Sequence, residues 1–326
     1  MSDQPRWAFP EELQPRLDAV QFDLARALDA VLLLRSEIPE TAFTANLLGT
    51  ERAGYGVVIG ADGLTLTIGY LITEAATIWL STNRGVSVPA TVLAYDQATG
   101  FGLVQPLGQL GVAPLTCGSA ADVAVGDTVY AIGHGGLPHA LTTRLIAKRE
   151  FAGYWEYLLD EALFTAPAHP QWGGSALLDG TGKLIGVGSL LVQEQDGESG
   201  EARQINMFVP IDLLAPILPS LRATGASGLP QHPWLGMYAQ ESDGRLVVGG
   251  LADGGPADKA GVRVGDLVIG VADERIKGLA PFFRKVWSLG AAGIEVPLML
   301  ARDGDVLRVR VVSANRIDFL WKPRLH

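Results

Sequence analysis

A chain of 326 residues exceeds the size at which one hydrophobic core usually keeps growing, so two or three domains are expected. Hydrophobic residues make up 48% and charged residues 18%, which excludes a disordered chain, and a net charge of -10 leaves no electrostatic footprint for nucleic acid. Cys117 stands alone, which rules out an internal disulfide or a cysteine metal cluster, and no apolar run reaches the roughly 18 residues of a membrane span.

The first residues, "MSDQPRWAFPEELQPRLDAV", carry acidic groups where a secretory signal needs a basic start, so a cytoplasmic location without membrane contact is expected. Leu13, Leu17, Val20, Leu24, Leu28 and Val31 recur at spacings of three and four, which predicts an amphipathic helix opening near Pro10 or Pro15 within an N-terminal extension, 1–29.

From 30 to 222 the pattern changes to short apolar runs separated by turns. "GYGVVIGADGLTLT" reads as two strands joined at Asp62-Gly63, a favoured hairpin dipeptide. Strand follows strand through "ATIWLST", "FGLVQP", "DTVYAIG", "ALFTA" and "SALLDGTGKLIGVGSLLVQ" without helical periodicity between them, which indicates an antiparallel sandwich or barrel. The tract "QEQDGESGEARQ" interrupts this as a polar loop, and "PIDLLAPILPSLRATG" reads as one closing helix. A small-residue and proline linker, 223–232, leads to a second unit, 233–315, with its own strands and a helix near "LAPFFRKVWSLG", and then to a tail, 316–326.

In order and spacing these stretches resemble trypsin-like serine proteases of the HtrA/DegP type, which join a double β-barrel to a PDZ domain. The resemblance is carried by "GYGVVIGADGLTLT", "VPATVLAYDQATGFGLV", "APLTCGSAADVAVGDTVYAIGHGG", "WGGSALLDGTGKLIGVGS" and "FVPIDLLAPIL", then by "WLGM" and "GPADKAGVRVGDLVIGVADERI". It implies a mostly β chain, a trypsin-like double barrel and then a PDZ domain, from about residue 30 to 313; the N-terminal helix expected from apolar spacing lies outside it.

Catalysis in that family needs a serine activated by a histidine that an aspartate orients, beside backbone N–H groups that hold an oxyanion. Aligned without gaps, "LTIGYLI" puts Tyr70 where the family has its histidine, "DQATGFGLV" puts Gly100 at the acid, and "HPQWGGSAL" puts Gly173 at the serine. A phenol is a poor base at neutral pH and glycine orients nothing, so a pseudoprotease is expected. The alternatives are an active endopeptidase using Ser175 with a non-standard base such as His169, and a structural subunit of a larger complex.

In the second unit the resemblance places a carboxylate-binding loop at Trp234, Leu235, Gly236 and Met237, with Phe282, Val286 and Leu289 as helix-side walls of an apolar pocket. It implies a protein or peptide C-terminus as partner and a homo-oligomer or larger complex as the assembly. The two histidines of "GHGGLPH" lack an accompanying carboxylate and zinc-site spacing, and the glycines of "GYGVVIG" belong to a hairpin, so neither a metal nor a cofactor is expected.

Overall fold

The structure is a computed structural model that describes residues 7–195, 202–242 and 244–322; the middle of the polar tract and the end of the tail lie outside them. The chain divides into two units, one of Met1–Arg149, Glu161–Gly228 and Trp321–His326, the other of Glu150–Asp160 and Leu229–Leu320.

The N-terminal helix is α1 (Leu24–Asp29), shorter than its apolar stripe suggests. Pro15 explains the difference: it forces Gln14 into an extended conformation, φ -76° and ψ 151°, which ends a single 3-10 turn at Glu11–Leu13. Leu17 is left 70% exposed, whereas Leu24 is buried. A new helix starts only where the Asp23 carboxylate accepts from the Arg26 backbone N–H at 3.0 Å.

The first unit holds two closed antiparallel barrels. One is built from β1 (Val31–Glu37), β2 (Glu51–Val58), β3 (Thr65–Ile68), β4 (Thr77–Ser81), β5 (Ser87–Tyr95) and β6 (Phe101–Pro106), in the order β1-β2-β3-β6-β5-β4. A short helix, α2 (Ala45–Leu48), crosses from β1 to β2. Alternating residues such as Leu32, Leu34, Val57, Leu66, Leu80 and Leu103 point inward and are fully buried. The hairpin at Asp62-Gly63 forms as expected, with Gly63 at φ 81° and Asp62 accepting from the Leu64 N–H.

The other barrel takes β7 (Thr128–Ile132), β8 (Ala140–Gly153), β9 (Tyr157–Ala166), β10 (Ala176–Leu178), β11 (Leu184–Gln195) and β12 (Ala202–Pro210) in the order β10-β11-β12-β9-β8-β7. Its core gathers Val129, Leu141, Leu163, Leu177, Ile185 and Phe208. Strands β8 and β9 outrun the barrel, and the hairpin tip that joins them, Glu150–Asp160, belongs to the second unit. The expected closing helix is divided at Pro216, which has no N–H to continue the ladder, into a 3-10 turn, Ile211–Leu213, and α3 (Leu218–Thr224). Helix α3 stops at Gly225 in the left-handed conformation.

The second unit is an antiparallel sheet ordered β13 (Met237–Ser242), β14 (Arg245–Leu251), β15 (Leu267–Val271), β17 (Glu295–Arg302) and β18 (Asp305–Val312), with β16 (Glu274–Arg275) paired to β15. Two helices accompany it, α4 (Pro256–Lys259) and α5 (Leu279–Ser288). The apolar face of α5, Phe282, Phe283 and Val286, is buried with Leu235, Met237, Val248 and Leu300 in one core.

Candidate functional site

In the first unit the chain leaves β3 through a 3-10 turn, Gly69–Leu71, that carries Tyr70. The Gly69 N–H donates to the Gly100 carbonyl at 2.7 Å, which sets Tyr70 beside the turn before β6. Gly100 sits there at φ 80°, a left-handed conformation that suits glycine, while the Asp96 carboxylate is spent on the Thr99 N–H and hydroxyl. From the other barrel comes the run at 171–175, tied to β2 by the Tyr55 N–H donating to the Gly173 carbonyl at 2.8 Å. A β-carbon on Gly173 would lie 2.8 Å from the Tyr70 hydroxyl oxygen. The fold therefore brings Tyr70, Gly100 and Gly173 together.

Tyr70 and Gly173, but not Gly100, border a cleft of about 390 Å³ that Leu33, Gly54, Tyr55, Gln171 and Trp172 also line. The Tyr70 hydroxyl donates to the Ser189 carbonyl at 2.9 Å. Burial pushes the phenol well above the ordinary tyrosine range, with only the Trp172 indole working against it. A phenol so placed keeps its proton, so it cannot take one from a nucleophile.

Ser175 and His169 lie close by in sequence but are turned away from such chemistry. Ser175 is fully buried, and its hydroxyl donates to the Trp172 carbonyl at 2.8 Å. His169 is also fully buried; its Nδ1 accepts from the Gln171 N–H at 3.1 Å, which leaves Nε2 to donate to the His139 carbonyl at 3.1 Å. Burial lowers this imidazole to about 4. The same bond consumes the Gln171 N–H, so the backbone run at 171–173 does not present all its donors to the cleft.

The second unit contains a different polar centre. Glu156, at the tip of the β8–β9 hairpin, is buried and stands at φ 62°. Its carboxylate accepts from the backbone N–H groups of Leu235 at 2.9 Å, Gly236 at 2.7 Å and Met237 at 3.1 Å. Those donors converge because Gly236 adopts φ 67°, a turn that glycine makes without strain. Burial pushes the Glu156 carboxyl up to about 7, against the pull of the three N–H donors and of the Arg316 charge. Beside the hairpin a cleft of about 580 Å³ remains, bounded by Glu150–Trp155, Gln240, Glu241 and Lys277–Pro281.

Two family models match this chain: a trypsin-like peptidase domain over residues 54–187 and a PDZ domain over residues 233–312. The chain carries an HtrA/DegP-like trypsin-like peptidase domain followed by a PDZ domain. It is 25% identical over 280 residues to a probable periplasmic serine endoprotease DegP-like of Chlamydia pneumoniae, covering 80% of this chain and 55% of that protein. To the serine protease PepD of Mycobacterium tuberculosis it is 29% identical over 266 residues, covering 73% and 56%. The chain thus spans little more than half the length of these relatives. Among solved structures, the HtrA-type protease AlgW with decapeptide matches with TM-score 0.53 at 19% identity, covering 92% of this chain and 98% of that one. A serine endoprotease from Yersinia pestis matches with TM-score 0.51 at 19% identity, covering 89% and 95%. No helix among the described residues is long and apolar enough to cross a membrane.

The expected groove residues of the PDZ domain separate into distinct roles. Leu235, Gly236 and Met237 form the N–H loop, and the side chains of Leu235 and Met237 share one core with Phe282 and Val286, against which Leu289 packs partly buried. Trp234 takes no part in the loop: its backbone pairs with Ala314 and its ring packs on Phe319 at 4.7 Å. Sequence reasoning missed Glu156 altogether. The available signal was a single carboxylate inside the aromatic run "FAGYWEYLL" at a strand junction.

Proposed function

We propose that this chain is a catalytically inactive HtrA-like homologue that acts by binding protein or peptide through its PDZ domain, as an adaptor or assembly factor. On this reading Tyr70, Gly100 and Gly173 occupy the positions of base, orienting acid and nucleophile. One observation carries it: the Tyr70 hydroxyl, raised by burial and bonded to the Ser189 carbonyl, stands 2.8 Å from where a β-carbon on Gly173 would lie, a place where triad chemistry needs a basic nitrogen facing an oxygen nucleophile. Ser175, hydrogen-bonded to the Trp172 carbonyl and shut off from solvent, offers no replacement.

Binding is supported by the N–H loop at Leu235–Met237, whose geometry suits a carboxylate, and by the similarly folded HtrA-type protease AlgW, whose structures hold a tripeptide or a decapeptide. The test uses the full chain with unfolded casein and with an array of peptides bearing free C-termini. The expected result is intact casein together with capture of some peptides below about 1 mM, equivalent to about -4 kcal/mol. Casein cleavage overturns the inactive reading, and no capture at that limit by either the unmodified chain or a Glu156→Gly variant overturns the binding reading.

A further inference from the structure

The carboxylate-binding loop of the PDZ domain is already filled, and the group that fills it belongs to the same chain. Both Glu156 carboxylate oxygens are engaged: Oε1 accepts from Gly236 and Met237, and Oε2 from Leu235 at 2.9 Å. A free peptide C-terminus recognised by backbone N–H groups makes the same kind of contact. We infer that the hairpin tip Glu150–Asp160 is a tethered ligand of the PDZ groove, with the Glu156 carboxylate holding the place of a peptide's terminal carboxylate. An outside peptide then enters only by displacing it. The inference rests on reading the groove as a peptide site.

The rest of the tip binds as a ligand would. Ala152 and Leu158 pack against the core that contains Leu235, Met237, Phe282 and Val286. Tyr154 meets the Tyr238 ring of β13 edge-on at 6.3 Å. Arg284, exposed on α5, pairs with Glu150 before the tip and Asp160 after it, so both flanks of the hairpin are held to one helix. Glu156 reaches its donors only by taking a left-handed backbone, an unfavourable conformation for a residue with a β-carbon, and the contacts around it hold it there. A purely structural turn at this position would accept glycine or asparagine, and neither of those could reach the loop with a carboxylate.

The full chain, its Glu156→Gly variant and its Glu156→Gln variant are to be compared on one array of C-terminal peptides and on the same array with amidated C-termini. Glycine suits the left-handed backbone, so Glu156→Gly removes the carboxylate without straining the turn, and Glu156→Gln preserves side-chain size should the smaller residue loosen the hairpin. The expected result is capture of free-carboxylate peptides about tenfold tighter by the variants than by the unmodified chain, with the amidated peptides left behind. Equal capture by all three proteins overturns the inference while leaving peptide binding intact. Capture by none overturns both the inference and the peptide-binding reading.

Discussion

The hydroxyl of Tyr70 stands 2.8 Å from where a β-carbon on Gly173 would be, and it donates to the carbonyl of Ser189 rather than to any side chain. That relationship sets the chemistry of the cleft, because the space a nucleophile would use is bounded by a group that holds its proton.

Replacing Gly173 by serine is expected to create no nucleophile. The new side chain must displace the phenol, and the nearest polar group to it, the Tyr70 hydroxyl, is no base. Casein turnover by Gly173→Ser stays at background, and the melting temperature falls rather than rises. Adding Tyr70→His and Gly100→Asp meets a further obstacle. The backbone of Gly100 is at φ 80°, so an aspartate there costs about 1 kcal/mol in backbone strain. Chemical denaturation of each single variant measures both penalties.

Tyr70→Phe removes one hydroxyl and leaves the Ser189 carbonyl without that donor. A loss of about 1 kcal/mol of stability is expected from equilibrium unfolding. A stability equal to that of the parent would show that water replaces the hydroxyl.

Ser175→Ala should behave as a core substitution rather than as an active-site one. The hydroxyl bridges to the Trp172 carbonyl in a fully buried position, so its loss costs about 1 kcal/mol. Unfolding in urea checks the value.

Two of the buried titrating groups, His169 and Glu156, shift in opposite senses. His169 is held neutral in the folded chain at about 4, below its ordinary 6.5, so folding excludes a proton that the unfolded chain would bind. Its contribution is intact above about 6.5 and is lost as pH falls toward about 4. Glu156 is raised from 4.5 to about 7 when docked, so docking takes up a proton between those values. The docked tip is favoured most below about 4.5 and loses that advantage as pH rises through about 7. Arg316 draws the docked carboxyl the other way; Tyr154 and Tyr238 adjoin it, and Glu150, Asp160 and Arg284 flank the tip. Hydrogen exchange at Leu235–Met237, corrected for intrinsic rates, should become faster from about pH 5 to about pH 8 in the parent and vary less in Glu156→Gln. An unchanged profile in that variant would assign the effect to another group.

The antiparallel β-character and a second unit with its own core are legible because strand spacing and turn residues carry them locally, whereas the double barrel, the PDZ domain and the correspondence of Tyr70, Gly100 and Gly173 are implied only by the resemblance in motif order. The Asp62-Gly63 signal is the simplest case: it marks the hairpin correctly, although the turn itself is wider, with the Gly63 N–H donating to the Gly60 carbonyl at 3.0 Å and Gly63 alone of the pair at positive φ. The N-terminal stripe misled because periodicity counts apolar spacing and ignores the break at Pro15, and Pro216 divides the closing segment in a related way. The role of Glu156 was not legible beyond its odd place as a lone carboxylate in an aromatic run. Its partners are backbone N–H groups 79 to 81 residues later, and a main-chain donor leaves no side-chain mark in the sequence. The placement of Trp234 eluded the motif for a related reason: its register is set by pairing with Ala314 on the far side of the domain's sequence.

Whether the trypsin-like cleft holds a working nucleophile can be read out in one experiment, a fluorophosphonate probe on the purified full chain with adducts located by peptide mass spectrometry. No adduct is expected on any serine, Ser175 included. A stoichiometric adduct on Ser175 that disappears in Ser175→Ala would contradict the inactive reading.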